Sequence, residues 1–147
     1  MRRPTEVIIV DSAIIIAALT GRSMPLLLSI GDRRRLMVTT RVIEECLRRV
    51  VLGLGRPELA PVVLSIAEAM ELVASEDMDL MPAERTLRRA PAAANGSTSD
   101  AHLLAAAWFA DADVWTHDRD FAGCGIASWS TANLVAALDD EFARTTG

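Results

Sequence analysis

Short runs of consecutive apolar residues alternate along the chain with longer segments in which apolar residues recur at helical spacing. The clearest run is VIIVD at 7–11, which is short, rich in β-branched residues and typical of a buried strand. Four further runs predict strands at 36–39, 78–81, 113–116 and 125–129, of which 78–81 is the weakest. The pattern therefore predicts a sheet of about five strands.

The segments between these runs predict helices. Ser12 is a candidate cap for the first helix, and Thr39 or Thr40 for the second. The predicted helices cover residues 12–19, 40–52, 58–74, 82–89, 100–110 and 131–142, with breaks or loops at 21–25, 53–57 and 90–98. Strands that alternate with helices indicate a parallel sheet covered on both faces. We expect a three-layer α/β/α sandwich in a single domain over residues 1–147.

Asp11 stands inside an otherwise apolar stretch, EVIIVDSAIIIAAL at 6–19. An ionised carboxylate is costly to bury and is seldom found there without a partner. Asp11 ends the first predicted strand, and functional sites of open α/β sheets gather beyond the carboxyl ends of the strands. Capping of the following helix is the plainer explanation, and the pattern alone leaves both open.

Further acidic residues are expected at the same edge of the sheet. Glu45 lies in the second turn of the helix after the second strand, and Asp100 begins the helix before the fourth strand. Asp118 directly follows the fourth strand, and Asp120 could point to the same side. Each could instead be a helix cap, a solvated charge or part of a charged turn.

Carboxylates that converge on one point repel one another, and a cation that neutralises them would hold them together. A set of oxygen ligands without His or Cys indicates Mg²⁺ or Mn²⁺. Such ions activate water and stabilise phosphodiester transition states.

Four segments together resemble the PIN domain family of metal-dependent ribonucleases, which includes the VapC-type toxins of bacterial toxin–antitoxin pairs. The segments are VIIVDSAIIIAAL, VTTRVIEECLRRV, SDAHLLAAAWFADADVWTHDRDF and IASWSTANLVAAL. The most specific part is an Asp that begins an Ala-rich helix, followed by a strand that ends in T-x-D-x-D-F. The resemblance covers essentially the whole chain.

The resemblance implies a role for each acidic residue. Asp11, Asp100 and Asp118 would be catalytic and would hold Mg²⁺ or Mn²⁺ directly or through water, with Asp120 as a supporting metal ligand. Glu45, six residues after Thr39, would position a water or act as a base. Glu44 is the weaker choice, because its side chain points away from the apolar face of its helix.

The chain departs from the family pattern in two places. Ala13 stands two residues after Asp11, where a small polar residue is common. Gly96 and Ser97 stand where an acidic residue often precedes Asp100. The first departure weakens the support of Asp11, and the second weakens the binding of a second metal ion.

The composition of the chain excludes or disfavours several classes of protein. The net charge is −5, which does not favour a protein that coats nucleic acid or membranes. All basic residues are arginine, so Schiff-base and P-loop lysine chemistry is excluded and a response-regulator receiver is disfavoured. Haloacid dehalogenases have a second Asp two residues after the Asp that ends the first strand. Ala13 stands at that position here, which disfavours this class of enzyme. Arginine pairs such as Arg48 and Arg49 are most simply solvated, although arginine geometry suits RNA phosphates.

Glu6 and Asp11 interrupt the N-terminal apolar stretch, so we expect neither a signal peptide nor a transmembrane helix, and a cytoplasmic location. The resemblance implies a toxin that hydrolyses RNA, with a cognate antitoxin as partner and a homodimer as assembly. The alternative is a PIN-like domain of weak or no catalytic activity that binds RNA or a protein partner.

Overall fold

The computed structural model describes residues 2–89, 100–117, 121 and 124–146. Within them lie five strands: Val7–Val10 (β1), Arg35–Thr39 (β2), Glu71–Val73 (β3), Asp113–Trp115 (β4) and Ser128–Trp129 (β5). The α-helices of the same residues are Ser12–Thr20 (α1), Met24–Arg33 (α2), Thr40–Arg48 (α3), Ala60–Glu68 (α4), Met81–Arg89 (α5), Ala101–Ala110 (α6) and Thr131–Thr146 (α7). A π-helical turn, Arg49–Gly53, continues α3.

The strands form one parallel sheet in the order β3-β2-β1-β4-β5. The chain moves outward from β1 to β3 and then crosses back to β4, so right-handed crossovers bring α1–α4 to one face and α5–α6 to the other. α6 packs on β1, β2 and β4, while α7 pairs with α2 through Arg33 and Asp139. The predicted three-layer α/β/α architecture is confirmed.

Coverage of both faces explains why the central strand is apolar throughout. Ile8, Ile9 and Val10 of β1 have no exposed surface, since side chains that alternate between the two faces meet helices on each. The strands all end at one edge of the sheet, which we call the carboxyl edge. Within the described residues, no helix is both long enough and apolar enough to cross a membrane.

Asp113 fastens the N-terminal arm to the opposite edge of the sheet. Its carboxylate, in a residue only 1% exposed, accepts hydrogen bonds from the Arg2 guanidinium (3.1 Å), the Thr5 backbone N–H (3.2 Å) and the Trp129 indole (2.8 Å). A buried charge with three donors is satisfied. The arm, β4 and β5 are therefore joined by one carboxylate.

Glu141 of α7 makes a second such junction. It accepts hydrogen bonds from Arg3 and from Arg34, the nearest contacts being 2.6 and 2.8 Å. These bonds, first that of Arg3 and then that of Arg34, hold the pKa of Glu141 below its ordinary value. The carboxylate therefore stays ionised where an ordinary glutamate begins to protonate.

The predicted pattern differs from the structure around the third strand. The strand predicted at 78–81 is wrong: the third strand is Glu71–Val73, and the helix predicted over 58–74 ends at Glu68. β3 is an edge strand whose central residue, Leu72, is 56% exposed, so its pairing with β2 defines it rather than its own apolar pattern. The loop predicted at 90–98 lies outside the described residues.

The helix α2 was not predicted, because the segment GRSMP at 21–25 indicates only a break. It does end α1, but Pro25 also lies in the first turn of α2, where its missing N–H costs nothing. The same residues therefore end one helix and begin the next.

Candidate active site

Asp11 lies at the carboxyl edge, where its backbone N–H still bonds to the Trp115 carbonyl oxygen of β4 at 3.1 Å. Its Oδ1 accepts the backbone N–H of Ser12 and its Oδ2 accepts the hydroxyl of Thr116, both at 2.7 Å. Asp11 is thus the N-cap of α1, as the plainer explanation of this residue predicted, whereas Ser12, the other candidate cap, is the first residue of the helix. The residue is only 7% exposed, so a charged carboxylate is held with two donors in a largely dry position.

Ser12 joins Asp11 to Glu45. The Ser12 hydroxyl donates to Oε2 of Glu45 at 2.9 Å and lies 3.4 Å from Oδ1 of Asp11. One carboxylate at the N-cap of α1 and one in α3 therefore meet at one hydroxyl, whereas Glu44, next to Glu45 in sequence, is exposed. Sequence reasoning missed this role of Ser12; the available signal was a hydroxyl residue directly after the strand-end Asp.

The electrostatics of a neighbouring thiol reflect these two charges. Cys46 has no exposed surface, and its Sγ lies 3.8 Å from the Ser12 carbonyl oxygen. Burial chiefly, then the negative charges of Glu45 and Asp11, raise the pKa of the Cys46 thiol to about 12. Cys46 is therefore a packing residue and not a nucleophile at neutral pH.

Asp100 comes to the same edge on the other face of the sheet. It is half-buried at the start of α6, and its backbone oxygen accepts the N–H groups of Leu103 and Leu104, while its side chain makes no capping hydrogen bond. Two residues on, His102 contacts Thr39, the last residue of β2. This contact fixes the first turn of α6 at the carboxyl edge.

His102 and Thr39 brace α6 against α3. Nδ1 of His102 lies 2.8 Å from the Thr39 hydroxyl oxygen, which also accepts the Val42 N–H at 3.1 Å and so caps α3. Burial, and secondarily the positive charge of Arg41, lower the pKa of His102 to about 4, so the ring is neutral at pH 7. Its Nε2 has no hydrogen-bond partner among the described residues.

Asp118 and Asp120, the remaining predicted site residues, lie outside the described residues. Within the part of the chain that the structure describes, no group of three His, Cys, Asp or Glu side chains is close enough to hold a metal ion. Asp11 and Glu45 are brought together, and Asp100 lies at the same edge. Neither Asp11 nor Glu45 forms an ion pair with a described residue. Two neighbouring carboxylates without a basic partner fit a hard cation.

The chain is similar to one protein family and to solved structures that share its fold. A family model described as "PIN domain" matches residues 9–139. The fold is similar to a chain of a toxin–antitoxin complex from Klebsiella pneumoniae, with a TM-score of 0.62 and 17% identity over 84% of this chain and 96% of that chain.

It is also similar to a chain of VapBC2 from Rickettsia felis, solved with a DNA fragment from its promoter. The TM-score is 0.60 and the identity 15%, over 84% of this chain and 98% of the other. No curated protein sequence matches.

Proposed function

The chain belongs to the PIN domain family, and from this membership we propose that it is a Mg²⁺- or Mn²⁺-dependent endoribonuclease. The observation that carries the proposal is the contact of Asp11 with Glu45 through Ser12 at the carboxyl edge. Like charges this close raise the free energy of the folded state unless something positive lies between them. Among the described residues no basic side chain does so.

Asp11 and Asp100 would hold the metal ion together with Asp118, with Asp120 in support. When bound, the ion would supply positive charge that acidifies a water and neutralises the phosphodiester transition state. The protein's own groups would do the rest. Thr116 and the Ser12 N–H keep the Asp11 carboxylate in one orientation, and Glu45, oriented by Ser12, would accept the proton of the attacking water.

We further propose that the protein is the toxin of a bacterial toxin–antitoxin pair, in the cytoplasm, with RNA as substrate. Support comes from the two similar structures, one a toxin–antitoxin complex and one a VapBC2 assembly. At 15–17% identity, these structures show only that the fold is shared. An antitoxin partner and a homodimeric assembly are therefore part of the proposal for this chain.

The test compares two adjacent glutamates. Purified protein with Mg²⁺ or Mn²⁺ should cleave RNA and should stop when EDTA is added. Glu45→Gln should reduce the cleavage rate by roughly 10²-fold or more, as expected for loss of a general base. Glu44→Gln removes the same charge from the exposed neighbour and should leave the rate within a factor of about 2.

Cleavage that persists in EDTA would refute the metal mechanism. Equal effects of the two substitutions would refute the role of Glu45. If no RNA is cleaved and no metal is bound, the alternative of an inactive domain that binds RNA or a protein partner is favoured.

A further inference from the structure

Two arginines flank Glu45 on its own helix. Arg41 lies four residues before Glu45 and Arg49 four residues after it, where α3 passes into its π-helical turn. Residues four apart are neighbours on a helix surface, so the three side chains follow one another along one stripe. Both arginines are exposed, whereas Glu45 is half-buried.

At this spacing each arginine could form an ion pair with Glu45, but neither does so. The Glu45 carboxylate is instead directed to the Ser12 hydroxyl at 2.9 Å. Neither arginine forms an ion pair with any other described residue. This differs from the opposite edge of the sheet, where Arg34 and Arg35 pair with Glu141 and Glu71.

The positive charges of these arginines act on groups of the candidate site. Arg41 contributes to the lowered pKa of His102, and Arg49 opposes the rise in the pKa of Cys46. The protein as a whole carries a net charge of −5, yet these two arginines place positive charge beside the Asp11 and Glu45 carboxylates. An anion that approaches Glu45 would meet them first.

We propose that Arg41 and Arg49 bind backbone phosphates of the substrate on either side of the bond that is cleaved, so that a single RNA strand follows α3 across Glu45. The inference rests on the proposed function. The two Cα atoms are roughly 12 Å apart along a helix axis, and long arginine side chains extend that reach over several nucleotides. Arginine donors match phosphate oxygens in pairs.

The test measures salt dependence, which counts phosphate contacts. Binding of a fluorescently labelled single-stranded RNA to the Glu45→Gln protein is measured in Mn²⁺ by anisotropy, at several salt concentrations. Each of Arg41→Gln and Arg49→Gln should reduce the slope of log affinity against log salt by about 0.7, and the double variant by about 1.4. The double Arg→Lys variant keeps both charges and should keep the slope within about 0.3 of the parent value.

Arg33→Gln is the matched control. Arg33 is also exposed, but it pairs with Asp139 at the opposite edge, so its loss should leave the slope unchanged. A double variant that binds with the parent slope would overturn the inference while leaving the ribonuclease proposal standing. A parent that binds no RNA at all would refute the proposed function, and this inference with it.

Discussion

Replacement of Asp11 by Asn separates the two roles of this carboxylate. Asn keeps the shape of the side chain and one carbonyl oxygen, so the cap of α1 can persist. It removes the negative charge, and with it the repulsion from the Glu45 carboxylate. Because the Ser12 hydroxyl lies 3.4 Å from an oxygen of one carboxylate and 2.9 Å from an oxygen of the other, these two oxygens are at most about 6 Å apart. At an effective dielectric constant of ~20, unit charges at that distance repel by roughly 3 kcal/mol before screening.

Solvent around half-buried Glu45 reduces that repulsion to about 1 kcal/mol. Against it stands the weaker hydrogen bonding of a neutral side chain to Ser12 N–H and to the Thr116 hydroxyl, which costs about 1 kcal/mol. The metal-free Asn variant should therefore melt close to the wild type. Asp11→Ala loses the cap and leaves both donors without an acceptor, so it should be destabilised by about 2–4 kcal/mol.

The decisive measurement is the thermal unfolding of the three proteins in EDTA and in excess Mn²⁺. A ligand at 100 times its Kd stabilises the folded state by about 2.7 kcal/mol, which corresponds to about 5–10 °C for a domain of this size. The wild type should show this shift and both Asp11 variants should lose most of it. Asp79→Asn is the control, because exposed Asp79 accepts the Met81 N–H at the start of α5, away from the candidate site. An equal Mn²⁺ shift in Asp11→Asn would refute the assignment of Asp11 as a metal ligand.

Two further predictions concern the opposite edge of the sheet. Asp113→Asn can keep its one oxygen for the Thr5 N–H and the Trp129 indole, but its amide nitrogen replaces the oxygen that accepts from exposed Arg2, so unfolding by circular dichroism should show a loss of about 1 kcal/mol; a wild-type melting temperature would contradict the role of this junction. Because the folded-state pKa of Glu141 is lowered, its stabilising contribution is present above its unfolded pKa of about 4.3 and is lost as the pH falls through the folded-state pKa. Glu141→Gln should therefore cost about 1 kcal/mol at pH 7 and progressively less below pH ~4, and a pH-independent difference would refute this linkage.

The sequence predicted the elements that its own periodicity defines. The apolar run of β1 and the helical stripe of α3 are strong local patterns, and the stripe also gave the correct relative orientation of Glu44 and Glu45. β3 could not be found in this way, because three residues at a sheet edge are strand only through their pairing with β2. The hydrophobic pattern of a short segment does not indicate which other strand the segment pairs with.

The sequence predicted that Asp11 and Glu45 lie at one edge of the sheet, but it could not show the hydrogen bonds that connect them. Strand ends identified Asp11, and helical phase identified Glu45. Whether Asp11 or Ser12 caps α1 could not be decided from the sequence, since Ser and Asp are equally good caps. Because Asp11 takes the cap, the Ser12 hydroxyl is available to Glu45. The brace between His102 and Thr39 likewise depends on the approach of α6 to β2.

The burial of α6 determines which parts of the protein can unfold locally. Its first seven residues, Ala101 to Ala107, are all buried among α5 and three strands. Its amide protons should exchange with solvent only when the whole protein unfolds. The π-helical turn after α3 exposes Val51 and Leu52, so its amides should exchange through smaller openings. Asp100 directly precedes this protected helix, so the first turn of α6 should keep its place at the carboxyl edge while the π-helical turn opens and closes.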